Sequence, residues 1–198
     1  MNSNALSSSE EEEKRATRDK VSKPMLWLGM VSMMMLFAGL SSAYVVSHSS
    51  SKWLKFELPQ LFYVSTAIII LSSVTMNSTL IAAKKNDTKG IKRFALLTLV
   101  LGVVFIICQF KAWGFLISQG IYFAGKTSNP SGSYLYALTF LHMLHLVAGI
   151  IAVFVVWVQA GRQKYNSGNL LGIQLCAIFW HFLDGLWVYL FLFLLFQR

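Results

Sequence analysis

The chain has 198 residues, of which 56% are hydrophobic and 13% charged, with a formal net charge of +9. So apolar a composition excludes an ordinary soluble domain and makes a polytopic membrane protein the default class. The basic residues flank apolar segments and form no interleaved basic–aromatic face, so the charge reads as a topology signal and not as a nucleic-acid footprint.

In chain order, residues 1–22 form a polar cytoplasmic arm, MNSNALSSSEEEEKRATRDKVS. Ser9 and Glu12 have capping-box spacing and would open a short surface helix; an unstructured arm is the other reading. Residues 23–198 read as one membrane domain with apolar stretches at about 25–47, 60–83, 94–118, 134–159 and 170–196. Each is long enough for a hydrocarbon core, which needs about 20 helical residues. The expected fold class is therefore an all-α integral membrane protein, a bundle of five transmembrane helices. Ser41–Ala43 loosely resembles a signal-peptidase site. The run before it is long for a signal peptide, however, and four consecutive glutamates lead it, so it reads as a retained helix.

Orientation follows from Lys and Arg. One side collects Lys14, Arg15, Arg18, Lys20, Lys23, Lys84, Lys85, Lys89, Lys92, Arg93, Arg162 and Lys164. The other has Lys52, Lys55, Lys126 and Arg198, while Lys111 lies within the third helix, where it can snorkel. The positive-inside rule then puts the N-terminus in the cytoplasm and the C-terminus outside. Trp27, Trp53, Trp113 and Trp157 fall near the expected interfaces, as anchors do. Cys108 and Cys176 have no partner at short spacing, and Met30, Met33, Met34 and Met35 run around their helix, so neither set reads as a metal site.

The candidate functional residues are the polar ones inside the spans: His142, His145, His181, Asp184 and Gln109. Asp184 is the only acidic residue in the five stretches. "LHMLH" and "FWHFLD" each place two polar side chains about one helical turn apart. At ~1.5 Å per residue, His142 and His145 lie ~12 and ~16 Å from one end of their helix, with His181 and Asp184 at overlapping depth and Gln109 slightly further out. An ionisable group there costs about 3 kcal/mol or more unless compensated. These groups would either ligate a metal or haem, or, as neutral imidazoles donating to the carboxylate or to carbonyls, lock helices four and five. No internal repeat is visible, which disfavours an inverted-repeat transporter; a small proton channel using Asp184 remains a third reading.

"FELP" before helix two, "GVVFIICQ", "LHMLH" followed by Gly149, and "FWHFLDGLW" resemble, in order over residues 25–196, subunit III of haem-copper terminal oxidases (the cytochrome c oxidase and quinol oxidase family) in its five-helix short form. The resemblance implies a non-catalytic subunit of a respiratory complex that reduces oxygen to water and pumps protons in a bacterial plasma membrane. It implies no catalytic, cofactor-binding or metal residues in this chain, since haem and copper belong to the partner subunits. Implied partners are subunit I, subunit II, small subunits or a respiratory supercomplex, and phospholipids, with no nucleic acid. Met33, Ala112 and Gln174 stand where many family members carry acids, which puts a part in proton uptake in doubt. The electron donor, cytochrome c or quinol, is left open. The competing reading is a stand-alone haem- or metal-binding membrane protein using His142, His145 and His181. As a subunit III homologue, the chain would instead carry His142, His145, His181, Asp184 and Gln109 as a structural polar cluster.

Overall fold

A computed structural model describes residues 3–48, 59–123, 129–162 and 170–197. All regular structure among them is helical: α1 (Ser3–Ser47), α2 (Leu61–Lys84), α3 (Thr88–Ser118), α4 (Pro130–Gly161) and α5 (Leu171–Phe196). Each contains a segment long and apolar enough to cross a membrane, the first being Lys20–Ser47. The expected stretches correspond to these helices within four residues, except that α3 begins six residues earlier, at Thr88, and that the N-terminus differs. There the polar arm and the first span form one continuous helix of 45 residues, roughly 65 Å long at 1.5 Å per residue. Ser9 is therefore interior to a helix that begins at Ser3, so it does not open a separate one. The Ser9 and Glu12 side chains lie outside the described residues, as do "FELP" up to Leu58, Trp53, Lys52, Lys55, Lys126, Lys164 and Arg198. Pro24 sits inside α1 and removes one helical N–H.

The α2–α3 connection is the tightest in the chain. Asn86 takes φ 56°, a left-handed conformation that asparagine tolerates well. Asp87 then caps α3 by accepting a hydrogen bond from the Gly90 amide at 3.0 Å. This turn makes α2 and α3 antiparallel neighbours. Helices α2, α3, α4 and α5 form a closed ring in that order, with α5 returning to α2, whereas α1 lies outside the ring against α4 and α5 only. One narrow stripe of α1 is buried there, Met30, Phe37 and Tyr44, spaced seven residues apart. Its far end is fastened by the Ser47 hydroxyl, which donates to the Tyr134 hydroxyl at 3.1 Å.

Candidate functional site

The interior of the ring is built around two tryptophans of α5. Trp180 and Trp187 are both buried, and each donates its indole N–H to a hydroxyl of α2: Trp180 to Ser72 at 2.8 Å and Trp187 to Thr66 at 3.1 Å. Gln109 of α3 donates to the Ser65 hydroxyl at 3.0 Å. Thr75 and Thr98 pair across α2 and α3 at 2.8 Å, and Trp113 donates to Thr139 across α3 and α4 at 3.2 Å.

A shared chemical logic runs through these pairs. In a bilayer no water completes a hydroxyl, so it must both donate and accept within the protein. Ser65 and Thr66 donate to the Phe62 carbonyl at 3.0 and 2.7 Å, and Thr139 donates to the Leu135 carbonyl at 2.8 Å. Their own helix thus takes the proton, leaving the oxygen lone pairs to accept an N–H from a neighbouring helix. Each such interhelical bond contributes about 1 kcal/mol and sets register.

Trp180 also explains two glycines. A Cβ built on Gly102 of α3 would lie 3.0 Å from the Trp180 ring. One built on Gly149 of α4 would lie 2.9 Å from a Leu183 methyl and 3.3 Å from the same ring. Glycine at both positions lets α3 and α4 close on one indole ring, the small-residue packing that membrane helices rely on. One side chain of α5 therefore touches all three other helices of the ring.

The expected polar cluster is arranged differently from the hydrogen-bonded lock between α4 and α5. His142 is 1% exposed, with its ring 5.1 Å from that of Trp187 and 6.2 Å from that of Phe105, and neither ring nitrogen has a hydrogen-bond partner among the described residues. His145 Nδ1 donates to the Leu141 carbonyl of its own helix at 2.7 Å, and its ring lies 5.9 Å from Phe37 of α1. His181 Nδ1 and the Ser73 hydroxyl are 2.7 Å apart, a link from α5 to α2. Asp184 is buried with its carboxyl beside the Ser73 hydroxyl of α2, while Gln109 Oε1 has no hydrogen-bond partner among the described residues. The lock between α4 and α5 is therefore a correction: shape, at Gly149 against Trp180 and Leu183, closes that seam instead. One-turn spacing puts two side chains on one side of a helix, but α5 has α2 on one flank and α4 on the other. The side facing His181 turned out to be α2.

The three histidines thus occupy three environments, and among the described residues no group of three or more His, Cys, Asp or Glu is placed to hold a metal. Cys108 and Cys176 are free thiols on different helices. Of the methionines in α1, Met30 faces the ring while Met34 and Met35 are exposed, so they do not converge. What the sequence reading missed were the hydroxyls. Ser65, Ser72 and Thr79 recur seven residues apart, a stripe down one face of α2 that is visible in the sequence, and all three are buried. Two apolar clefts flank α1. One, of about 570 Å³, is lined by Leu40, Trp113, Ile117, Tyr136 and Phe140; the other, of about 460 Å³, runs between Met34 and Phe37 of α1 and His181, Phe182 and Tyr189 of α5.

Comparison with known proteins gives a consistent set of relatives. The family model described as cytochrome c oxidase subunit III matches residues 19–197. A probable cytochrome c oxidase subunit 3 of Mycobacterium tuberculosis is 31% identical over 183 residues, covering 88% of this chain and 86% of its own length. One from Nocardia farcinica is 29% identical over 184 residues, with the same two coverages. The cytochrome c oxidase subunit 3 of Synechocystis is 28% identical over 171 residues, covering 83% of this chain and 71% of its own.

Proposed function

Because the chain belongs to the cytochrome c oxidase subunit III family, we propose that this non-catalytic oxidase subunit buttresses subunit I and holds lipid beside it. Haem and copper are carried by the partner subunits, and the intramembrane polar residues His142, His145, His181, Asp184 and Gln109 serve packing. The N-terminus and the α2–α3 hairpin face the cytoplasm of a bacterial plasma membrane, as the excess of Lys and Arg on that side favours. The relatives are named as cytochrome c oxidase subunits, and we take cytochrome c as the electron donor of this complex too. Subunit II, small subunits and a supercomplex are the further neighbours.

The observation that carries this reading is the filled ring interior. The N–H groups of Trp180, Trp187 and Gln109 are spent on α2 hydroxyls, and only His142 lies inside the ring, His145 standing against α1 and His181 on the outer side of α5. A stand-alone haem or metal protein finds no support in such an arrangement. The larger cleft beside α1 is of a size and chemistry suited to acyl chains, which favours bound phospholipid there.

Two measurements test the reading together. Purified from membranes, the chain is expected to travel with a haem-copper subunit, and isolated it should show no Soret band; recovery as a lone haem protein would overturn the proposal. Asp184→Asn keeps the size of the side chain and a polar group beside the Ser73 hydroxyl, so assembly is expected to shift by less than about 0.5 kcal/mol. Haem per complex should stay constant. A complex that assembles normally but pumps fewer protons per electron would transfer Asp184 from packing to proton handling.

A further inference from the structure

Polar groups in the ring interior are shielded by protein, but one set faces outward. His181 is exposed on α5, and Asn77 is exposed on α2. Ser73, half-buried between them, is 2.7 Å from His181 Nδ1. Ser73 and Asn77 are four residues apart and so share a side of α2, while Gln174 and His181 are seven apart and share a side of α5. Together they make a polar stripe along the outer edge of the α2–α5 seam. On α2 its flanks are apolar, with Ile70 and Val74 both more than half exposed.

Depth makes the stripe unusual. His181 lies ten residues from the start of α5, about 15 Å at the helical rise, and further still from its other end. Asn77 is seven residues from the end of α2, about 10 Å. Neither side chain is long enough to reach the headgroups from there. His181 uses one ring nitrogen on Ser73, and in either tautomer Nε2 offers one hydrogen-bonding function outward. Among the described residues the Asn77 amide has no partner in this chain.

We infer that the Ser73–Asn77–His181 stripe is the docking edge for a transmembrane helix of another subunit, one carrying a hydrogen-bonding side chain at the same depth. Lipid is a poor occupant because an acyl chain can satisfy neither the imidazole nor the amide, and each unsatisfied polar group in hydrocarbon is costly. A helix with a hydroxyl, amide or carboxyl opposite Asn77 and His181 satisfies both, and the flanking Ile70 and Val74 supply the apolar contact such a helix needs. The larger cleft beside α1 differs in kind, since it is almost wholly apolar, whereas His181 also stands in the wall of the smaller one and makes it polar at that depth. The inference rests on the oxidase-subunit reading and narrows it to one edge of the chain.

The test uses the intact oxidase with a photoreactive benzophenone side chain at position 77. The expected product is a covalent adduct between this chain and a membrane segment of another oxidase subunit. In parallel, Asn77→Leu, which breaks no bond within the chain, should leave the melting of the isolated chain in detergent unchanged. Its retention in the purified complex should fall roughly fivefold, the effect of one lost interhelical hydrogen bond. Adducts to lipid alone, in complexes that still contain this chain, would overturn the docking edge while leaving the subunit reading intact. Labelling of Asn77→Cys by a water-soluble maleimide in the assembled complex would also overturn it, because the stripe would then line water. Absence of the chain from the oxidase would overturn both.

Discussion

The membrane segments of α1 and α5 are alike in mean hydropathy and opposite in situation. Their mean hydropathies are 1.6 and 1.8, yet α5 sits in the ring with partners on several sides, whereas α1 lies against its outside and leaves Met25, Leu28 and Met35 at least 70% exposed. Hydrophobicity cannot produce this difference, because lipid tails are as apolar as leucine. What separates the two helices is what they can offer at short range. Trp180 and Trp187 of α5 meet hydroxyls on α2 and glycines on α3 and α4. Gly29 and Gly39 of α1 have nothing within 4 Å of where a Cβ would stand. Within a membrane, the central helix is the one whose neighbours have made room and hydrogen bonds for it.

Three substitutions would break or sharpen that contrast. Gly149→Leu has the largest expected effect, since even a Cβ at Gly149 would crowd Leu183 and the Trp180 ring. Forcing α4 off α5 should cost about 3 kcal/mol or more, read as a lowered melting temperature in detergent and loss of the chain from the complex. Trp180→Phe removes the N–H that Ser72 accepts and part of the surface against Gly102 and Gly149. A loss of about 1–2 kcal/mol is expected, measured on the isolated chain, with register maintained by the Trp187–Thr66 bond. Gly39→Ala should do least. With open space around it and a helical backbone, the added methyl should be neutral or stabilise by up to about 1 kcal/mol through helix propensity. Destabilisation there comparable to Gly149→Leu would mean that α1 is held by a partner as tightly as α5 is held by the ring.

The contrast between α1 and α5 also marks how much could be read from residues alone. Five apolar runs of spanning length determined five helices, because in hydrocarbon a chain must satisfy its own backbone hydrogen bonds within each segment. Their boundaries followed from charge and composition, save where Glu- and Lys-rich sequence let α1 continue into its polar arm without a break. The motif order around "LHMLH" and "FWHFLDGLW" was enough to assign the family that the comparisons bear out. The one-turn spacing of His181 and Asp184 is legible too, and so is the seven-residue recurrence of Ser65, Ser72 and Thr79.

Which helix each polar group addresses was decided only in three dimensions. His181 and Asp184 turned to Ser73, His145 to the carbonyl of Leu141, and His142 to no hydrogen-bond partner among the described residues. Helical periodicity determines the direction of a side chain relative to its own axis. The order of helices around a ring, and the rotation of each within it, depends on close contacts such as Gly149 against Trp180, which join residues far apart in the sequence. That is why the sequence could determine the helices and the family, while the tertiary structure alone decided that α2, and not α4, is the hydrogen-bonded neighbour of α5.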